Sequence, residues 1–150
     1  MAMRDGDRAI YVARSAPSSA RVSLGFSVGS TLPLLPTAVG RMLLAQNIGY
    51  ELDASLSRLD VVKFTQATDL ETVSIKAKIV RAADQGYAFV RNEFEMGAAG
   101  IAVPVGRIGT SQAVLATSAS VNRFDKIDEF DRALDVLRRA AISIQPQTSF

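Results

Sequence analysis

The run from Gly29 to Ala45, GSTLPLLPTAVGRMLLA, constrains the fold more than any other part of the chain, because it feeds a proline-bounded segment straight into the first turn of a short apolar helix. Pro33 and Pro36 fix their own φ and hold the residues before them extended. Thr37 is a good N-cap residue, so a helix is expected from Thr37 to Gln46, stopping near Gly49. The first amides of any helix lack partners within it, which leaves those of Ala38, Val39 and Gly40 directed out of the helix end. Hydrogen bonding and the positive end of the helix dipole act together there, and small side chains at Ala38 and Gly40 let a carboxylate approach. The alternative is an ordinary capped helix packed on a sheet through Met42, Leu43 and Leu44, with only water at its end.

The 150 residues include no Cys and no His. Disulfides, thiolate catalysis, imidazole bases and nearly all transition-metal sites are thereby removed, and no cofactor or metal is expected. At 16.0 kDa and 48% hydrophobic, the chain is long enough for one compact soluble domain over residues 1–150, and no stretch has the length or apolarity of a membrane span. With no signal-peptide pattern at the start, a cytoplasmic location is expected. The net charge is only +2, and the Arg residues are scattered from Arg4 to Arg139 among acidic neighbours. That is not the clustered basic face that reads phosphates, so the chain is not expected to bind DNA itself.

Periodicity supplies the elements. Arg8 to Arg14 alternates around Ile10 and Val12 as a strand, and Arg21 to Val28 reads as its hairpin partner across a turn at Ser15 to Ala20. A short helix is expected around Glu51 to Leu59. A longer one is capped by the box Thr68-Asp69-Leu70-Glu71, carries Leu70, Val73, Ala77 and Val80 on its inner stripe, and ends at Gly86. Tyr87 to Asn92, Ala99 to Val105 and Gln112 to Ser120 read as a three-stranded meander. The last helix, Lys126 to Ile144, is capped by Asp125 and presents Ile127, Phe130, Leu134, Leu137, Ala141 and Ile144 as one stripe, facing either its own sheet or a partner helix. Adjacent hairpins with helices between and after them argue for an α+β fold, an antiparallel sheet flanked by helices.

The order Gly-Ser-x-Leu-Pro-Leu, a short gap, then Thr-Ala-Val-Gly-Arg-x-Leu-Leu-Ala resembles the pocket-forming segment of the effector-binding domain of IclR-family transcriptional regulators. GYAFVRNEFEMGAAGIAVPV, from Gly86 to Val105, resembles that family's Gly-Tyr, acidic pair, Gly and Ile-Ala-x-Pro-Val signature. LATSASVNR, from Leu115 to Arg123, resembles its closing strand, and GDRAIYVARS, from Gly6 to Ser15, an early strand. The YVARS wording is most similar to the subgroup controlling aromatic-acid (β-ketoadipate) catabolism. The resemblance implies a GAF-like, profilin-like sheet that curls over a loop and short helix to enclose a small-molecule cavity. It also implies a sensor rather than an enzyme, a small carboxylate effector, a homodimer or tetramer, and DNA contacts made only through a separate winged helix-turn-helix domain. No candidate for that domain occurs here, nor for the helix and first strand that usually precede the GDRAIYVARS-like strand. Met1 to Met3 accordingly read as partly a remnant added to a fragment.

Carried over position by position, the resemblance places a ligand carboxylate at the amides of Ala38 and Val39, beside Thr37. It draws the apolar wall from Leu32, Leu34 and Leu35, with space opened by Ala98 and Gly100. Ser118 and Ser120, two apart on one strand beside Ala116, match positions whose hydroxyls reach the ligand. Without it, Gly97 and Gly100 read as a bulge and a packing point, and the serines as an exposed face. Leu35 stands where the family often has a polar or aromatic residue, and Val90 where some members have an acidic one. The expected ligand is therefore a carboxylate with an apolar body, an aromatic or alicyclic acid. Two further readings stand beside this one: an enzyme of small acids using Glu93 or Glu95, and a dimerisation module whose cavity is filled by side chains. Because no nucleophile, base or metal set accompanies Glu93 and Glu95, these are expected as solvated charges or partners of Arg91 or Arg123, and Arg41 either as a help in attracting an acid or, as is ordinary on a helix surface, as a solvated residue. The PLLP stretch is expected to be buried rather than offered as a polyproline ligand.

Overall fold

The first residues of the chain are already inside the sheet. The computed structural model describes residues 1–15 and 27–145. In it Ala2–Asp5 form β1 and Arg8–Tyr11 form β2, an antiparallel hairpin. β1 also pairs with β6, Ser111–Ser120, setting Ala2 opposite Val114 and Met3 opposite Ala113. Ala2 is fully buried, and the Met1 ammonium donates to the Ala13 carbonyl at 2.8 Å. The expectation that no strand precedes β2 is corrected by this. Four residues with one inward side chain give too short an alternation to be read from sequence.

β2 is shorter than expected, and its buried residue is Ala9, whereas Val12 is 36% exposed. Its second neighbour is β3, Thr31–Pro33, with Ala9 opposite Leu32. All but Ser15 of the expected turn at Ser15 to Ala20, and most of the expected strand from Arg21 to Val28, lie outside the described residues. The meander is formed as expected by β4 (Ala88–Arg91), β5 (Ala98–Ile108) and β6. Among the described residues all pairings are antiparallel and six strands lie in the order β3-β2-β1-β6-β5-β4. β5 is covered on both faces, so its sequence AAGIAVPV is nearly continuously apolar, as a central strand should be.

On one face lie α1 (Ala38–Ala45), α2 (Tyr50–Arg58) and α3 (Thr72–Gln85); on the other lie α4 (Val121–Phe124) and α5 (Ile127–Ile144). The α+β class follows. α1 is buried at every position, packed between the sheet and α3. Its neighbours on the strands are small: Ala102 and Gly100 on β5 and Ala116 on β6 let the helix sit close. Gly86, at φ +80, ends α3 as expected.

Both long helices depart from expectation in register. α3 buries Ile75, Ile79 and Ala82, while Leu70 and Val73 are 47% and 84% exposed. The Thr68–Glu71 capping box does not form, because Thr68 Oγ1 donates to the Glu93 carbonyl instead and the helix begins at Thr72. α5 buries Leu134, Leu137 and Ala141, with Phe130 in an edge-to-face cluster with Phe89, Phe124 and Tyr87. The two ends of the expected stripe, Ile127 and Ile144, are exposed. Asp125 does not cap α5; it closes α4 and pairs with Arg91 at 2.9 Å.

Candidate functional site

Thr37 decides which helix-end amides are open. At φ −122° and ψ 148° it stands in the N-cap conformation, its Oγ1 accepts from the Gly40 amide at 3.0 Å, and the same hydroxyl donates to the Pro33 carbonyl at 2.8 Å. The Arg41 amide returns to the Thr37 carbonyl. Ala38 and Val39, the first two residues of α1, are therefore the ones whose amides have no carbonyl to reach within the helix. The expected trio of open amides is corrected to a pair, since the cap already occupies Gly40. Nor does Gly40 make room for a ligand. A Cβ there would lie 2.0 Å from the Leu34 carbonyl oxygen, so the missing side chain admits the backbone of the proline segment.

A cavity of about 70 Å³ opens at this helix end, bounded by residues of β2, β3 and β4, the first residues of β5, the later half of β6 and the loop after β4. That is several times the roughly 10–15 Å³ that one water needs. It brings together Leu32, Thr37, Ala38, Val39, Val90, Ala98, Gly100 and Ser118. Gly100 keeps it open: a Cβ there would meet the Ala38 Cβ at 3.5 Å and Ser118 Oγ at 3.8 Å, ordinary contact distances that would fill the space. Leu34 and Leu35 stand elsewhere. Both are buried, as expected of the PLLP stretch, but they border a second groove against Arg58 to Val62. Ser120 is exposed at the N-cap of α4 and does not line the cavity.

The cavity also includes residues that pattern reading did not select, among them Tyr11, Pro36, Asn92, Phe94 and Thr117. Burial pushes the Tyr11 phenol above its ordinary value, so it faces the cavity uncharged. Phe94 packs edge-on against Phe64 with ring centres 5.1 Å apart. Asn92 adopts φ +62 and accepts from the Gly97 amide at 2.8 Å, which turns the loop back over the site. The signal for that loop was present as an Asn three residues past a strand centre, a residue type that tolerates this conformation.

Glu93 and Arg41 correct two expectations at once. Neither is solvated: Glu93 is 8% exposed and Arg41 3%. They form a two-pronged ion pair, with Nη1 donating to Oε2 at 2.9 Å and Nη2 to Oε1 at 2.8 Å. Arg41 Nε donates to the Leu35 carbonyl at 2.7 Å, and the Asp69 amide donates to Glu93 Oε1 at 2.9 Å. One buried pair thus ties α1, the proline segment, the loop after β4 and the approach to α3. The partners expected for Glu93 are engaged elsewhere, Arg91 with Asp125 and Arg123 with Glu129. A carboxylate fixed by three donors is a brace rather than a poised base. Among the described residues no group of side chains is arranged to hold a metal, and no helix is long and apolar enough to cross a membrane.

The family described as Bacterial transcriptional regulator IclR C-terminal matches residues 1–146. The chain belongs to that family. It is 35% identical over 142 residues to the Pca regulon regulatory protein of Pseudomonas putida, a match covering 94% of this chain and 49% of the relative. Among solved structures, protein RHA06195 of Rhodococcus sp. RHA1 superposes with a TM-score of 0.86 at 32% identity, over 96% of this chain and 58% of that one. The inducer-binding domain of the Acinetobacter transcription factor PobR, a double mutant in complex with 3-hydroxybenzoic acid, superposes with a TM-score of 0.85 at 25% identity, over 97% of this chain and 85% of that one. The chain spans about half the length of the curated relatives it matches. Those relatives are regulators and not enzymes, and the IclR resemblance, with its aromatic-acid subgroup, agrees with them.

Proposed function

We propose that this IclR C-terminal domain is a sensor for a small carboxylate with an apolar body, an aromatic or alicyclic acid, acting in the cytoplasm. The observation that carries this is the cavity ending on the first amides of a fully buried helix, with walls of Leu32, Val90, Ala98 and Gly100. The ligand carboxylate accepts from the Ala38 and Val39 amides, Thr37 shapes the turn, and Ser118 finishes the polar end. A relative of the same fold holds 3-hydroxybenzoic acid, an acid of this class. Leu34, Leu35 and Ser120 act only by supporting the lining residues.

Sensing requires that occupancy favour one arrangement of subunits over another, and only a difference in ligand affinity between arrangements can do that. In this reading the domain works as a homodimer or tetramer and alters DNA binding by a winged-helix domain joined to it. Calorimetric titration and thermal unfolding with benzoate and 3-hydroxybenzoate test the site. At about a hundred times its dissociation constant, a bound acid stabilises the fold by roughly 2.7 kcal/mol. The absence of any shift with the whole class of aromatic and alicyclic acids would overturn the reading.

A further inference from the structure

Taking the carboxylate site at Ala38 and Val39 as proposed above, we infer that the cavity selects ligands carrying a single negative charge, and that the buried Arg41–Glu93 pair is the element that enforces this. The cavity lining contains no Lys or Arg among the described residues, but it contains two carboxylates, Glu93 and Glu95. The guanidinium of Arg41, which bonds to the lining residue Glu93, is committed at Nε to Leu35 and at both terminal nitrogens to Glu93. A first ligand carboxylate is met by the helix end. Among the described residues a second finds no cation in the lining, and it adds a like charge beside Glu95, the charge of Glu93 being balanced by Arg41.

The remaining polar groups around the cavity suit uncharged substituents. Tyr11 is neutral, and Asn92 and Ser118 offer amide and hydroxyl groups. A hydroxyl, ketone or nitro group on the ligand can be hydrogen-bonded here, whereas a second carboxylate must shed its water without compensation. Arg41 and Glu93 are thus specificity-determining through charge, although Arg41 itself does not line the cavity.

The test compares isosteres that differ in charge alone. Para-nitrobenzoate against terephthalate, and meta-nitrobenzoate against isophthalate, are titrated into the whole chain with benzoate as reference. The nitro acids are expected to bind at least about tenfold more tightly than the matching diacids. In Glu93→Gln the wall loses a charge and Arg41 loses its counter-ion, so the ratio should fall by about tenfold or more. Glu95→Gln, at an exposed rim position that does not endanger folding, should move the ratio the same way by a smaller factor. Equal binding of nitro acid and diacid by the wild type overturns the inference, as does an unchanged ratio in both variants. Benzoate binding with loss of every substituted acid would mean that size selects, and overturns it equally. Failure of benzoate and all the others to bind instead removes the site reading on which the inference stands.

Discussion

Gly40 and the carbonyl of Leu34 approach so closely that a Cβ on Gly40 would stand 2.0 Å from the oxygen and 2.3 Å from Leu34 Cα. The contact is backbone against backbone, so neither side can yield by rotating a side chain. It seats the proline segment on the first turn of α1, from which Leu35 accepts the Arg41 guanidinium and Thr37 caps the helix. The geometry of the helix-end amides therefore depends on a hydrogen atom where other residues have a methyl.

Gly40→Ala separates this clash from helix propensity. In an exposed helix interior the change gains about 1 kcal/mol. Here overpacking should outweigh that gain, for a net loss of about 2 kcal/mol or more. Urea unfolding measures it. A variant as stable as the wild type would show that the segment does not sit on α1 in this way.

At Gly100 the same change should act on binding and spare the fold. The added methyl meets Ala38 and Ser118 at ordinary contact distances and has no positive φ to strain. Stability should stay within about 1 kcal/mol of the wild type, while benzoate affinity falls about tenfold or more, because one methyl in a small pocket discriminates on that scale. Titration and unfolding of Gly100→Ala read the two effects separately. Loss of stability with unchanged affinity would mark Gly100 as a packing position only.

Breaking the buried ion pair from one side should be costly. Arg41→Met leaves Glu93 enclosed without its cation and the Leu35 carbonyl without its donor, at a cost of about 3–5 kcal/mol. Arg41→Met combined with Glu93→Leu should lose less than the two single variants added together, with a coupling of about 1 kcal/mol or more. Denaturant unfolding of the double-mutant cycle checks this. Additive losses would show that the pair does not act as a unit.

The parts of the molecule legible in the sequence are those set by local rules. Thr37 caps α1 because Thr after Pro can do little else there, Gly86 ends α3, and β4 to β6 follow their apolar runs. What escaped depends on contacts distant in sequence. Ile75 and Ile79 win the inner face of α3 over Leu70 and Val73 because the helix starts late, after Thr68 has been drawn to the Glu93 carbonyl. Arg41 and Glu93, 52 residues apart, look like solvent-facing charges until the fold encloses both. Tyr11 reaches the cavity only because β2 turns Ala9 and not Ile10 inward, a one-residue shift that exchanges the faces of the strand.

Asp69 makes stability depend on acidity. Its partial desolvation raises the carboxyl pKa, but hydrogen bonds from Lys78, Ser74 and the Glu71 amide outweigh that and hold the value at about 2. In the unfolded chain an Asp titrates near 3.9, so between these values the unfolded state binds more protons. The contribution of Asp69 is thus complete above about pH 4 and is lost as the pH falls toward 2. Because the Asp69 amide also holds Glu93, acid should loosen the approach to α3 and the wall of the cavity together. Asp69→Asn should lower stability at neutral pH and flatten its decline between about pH 4 and 2, with Lys78→Met giving a smaller change of the same sign. Thermal unfolding followed across that pH range measures both, and an Asp69→Asn curve parallel to the wild type would remove Asp69 from the acid response.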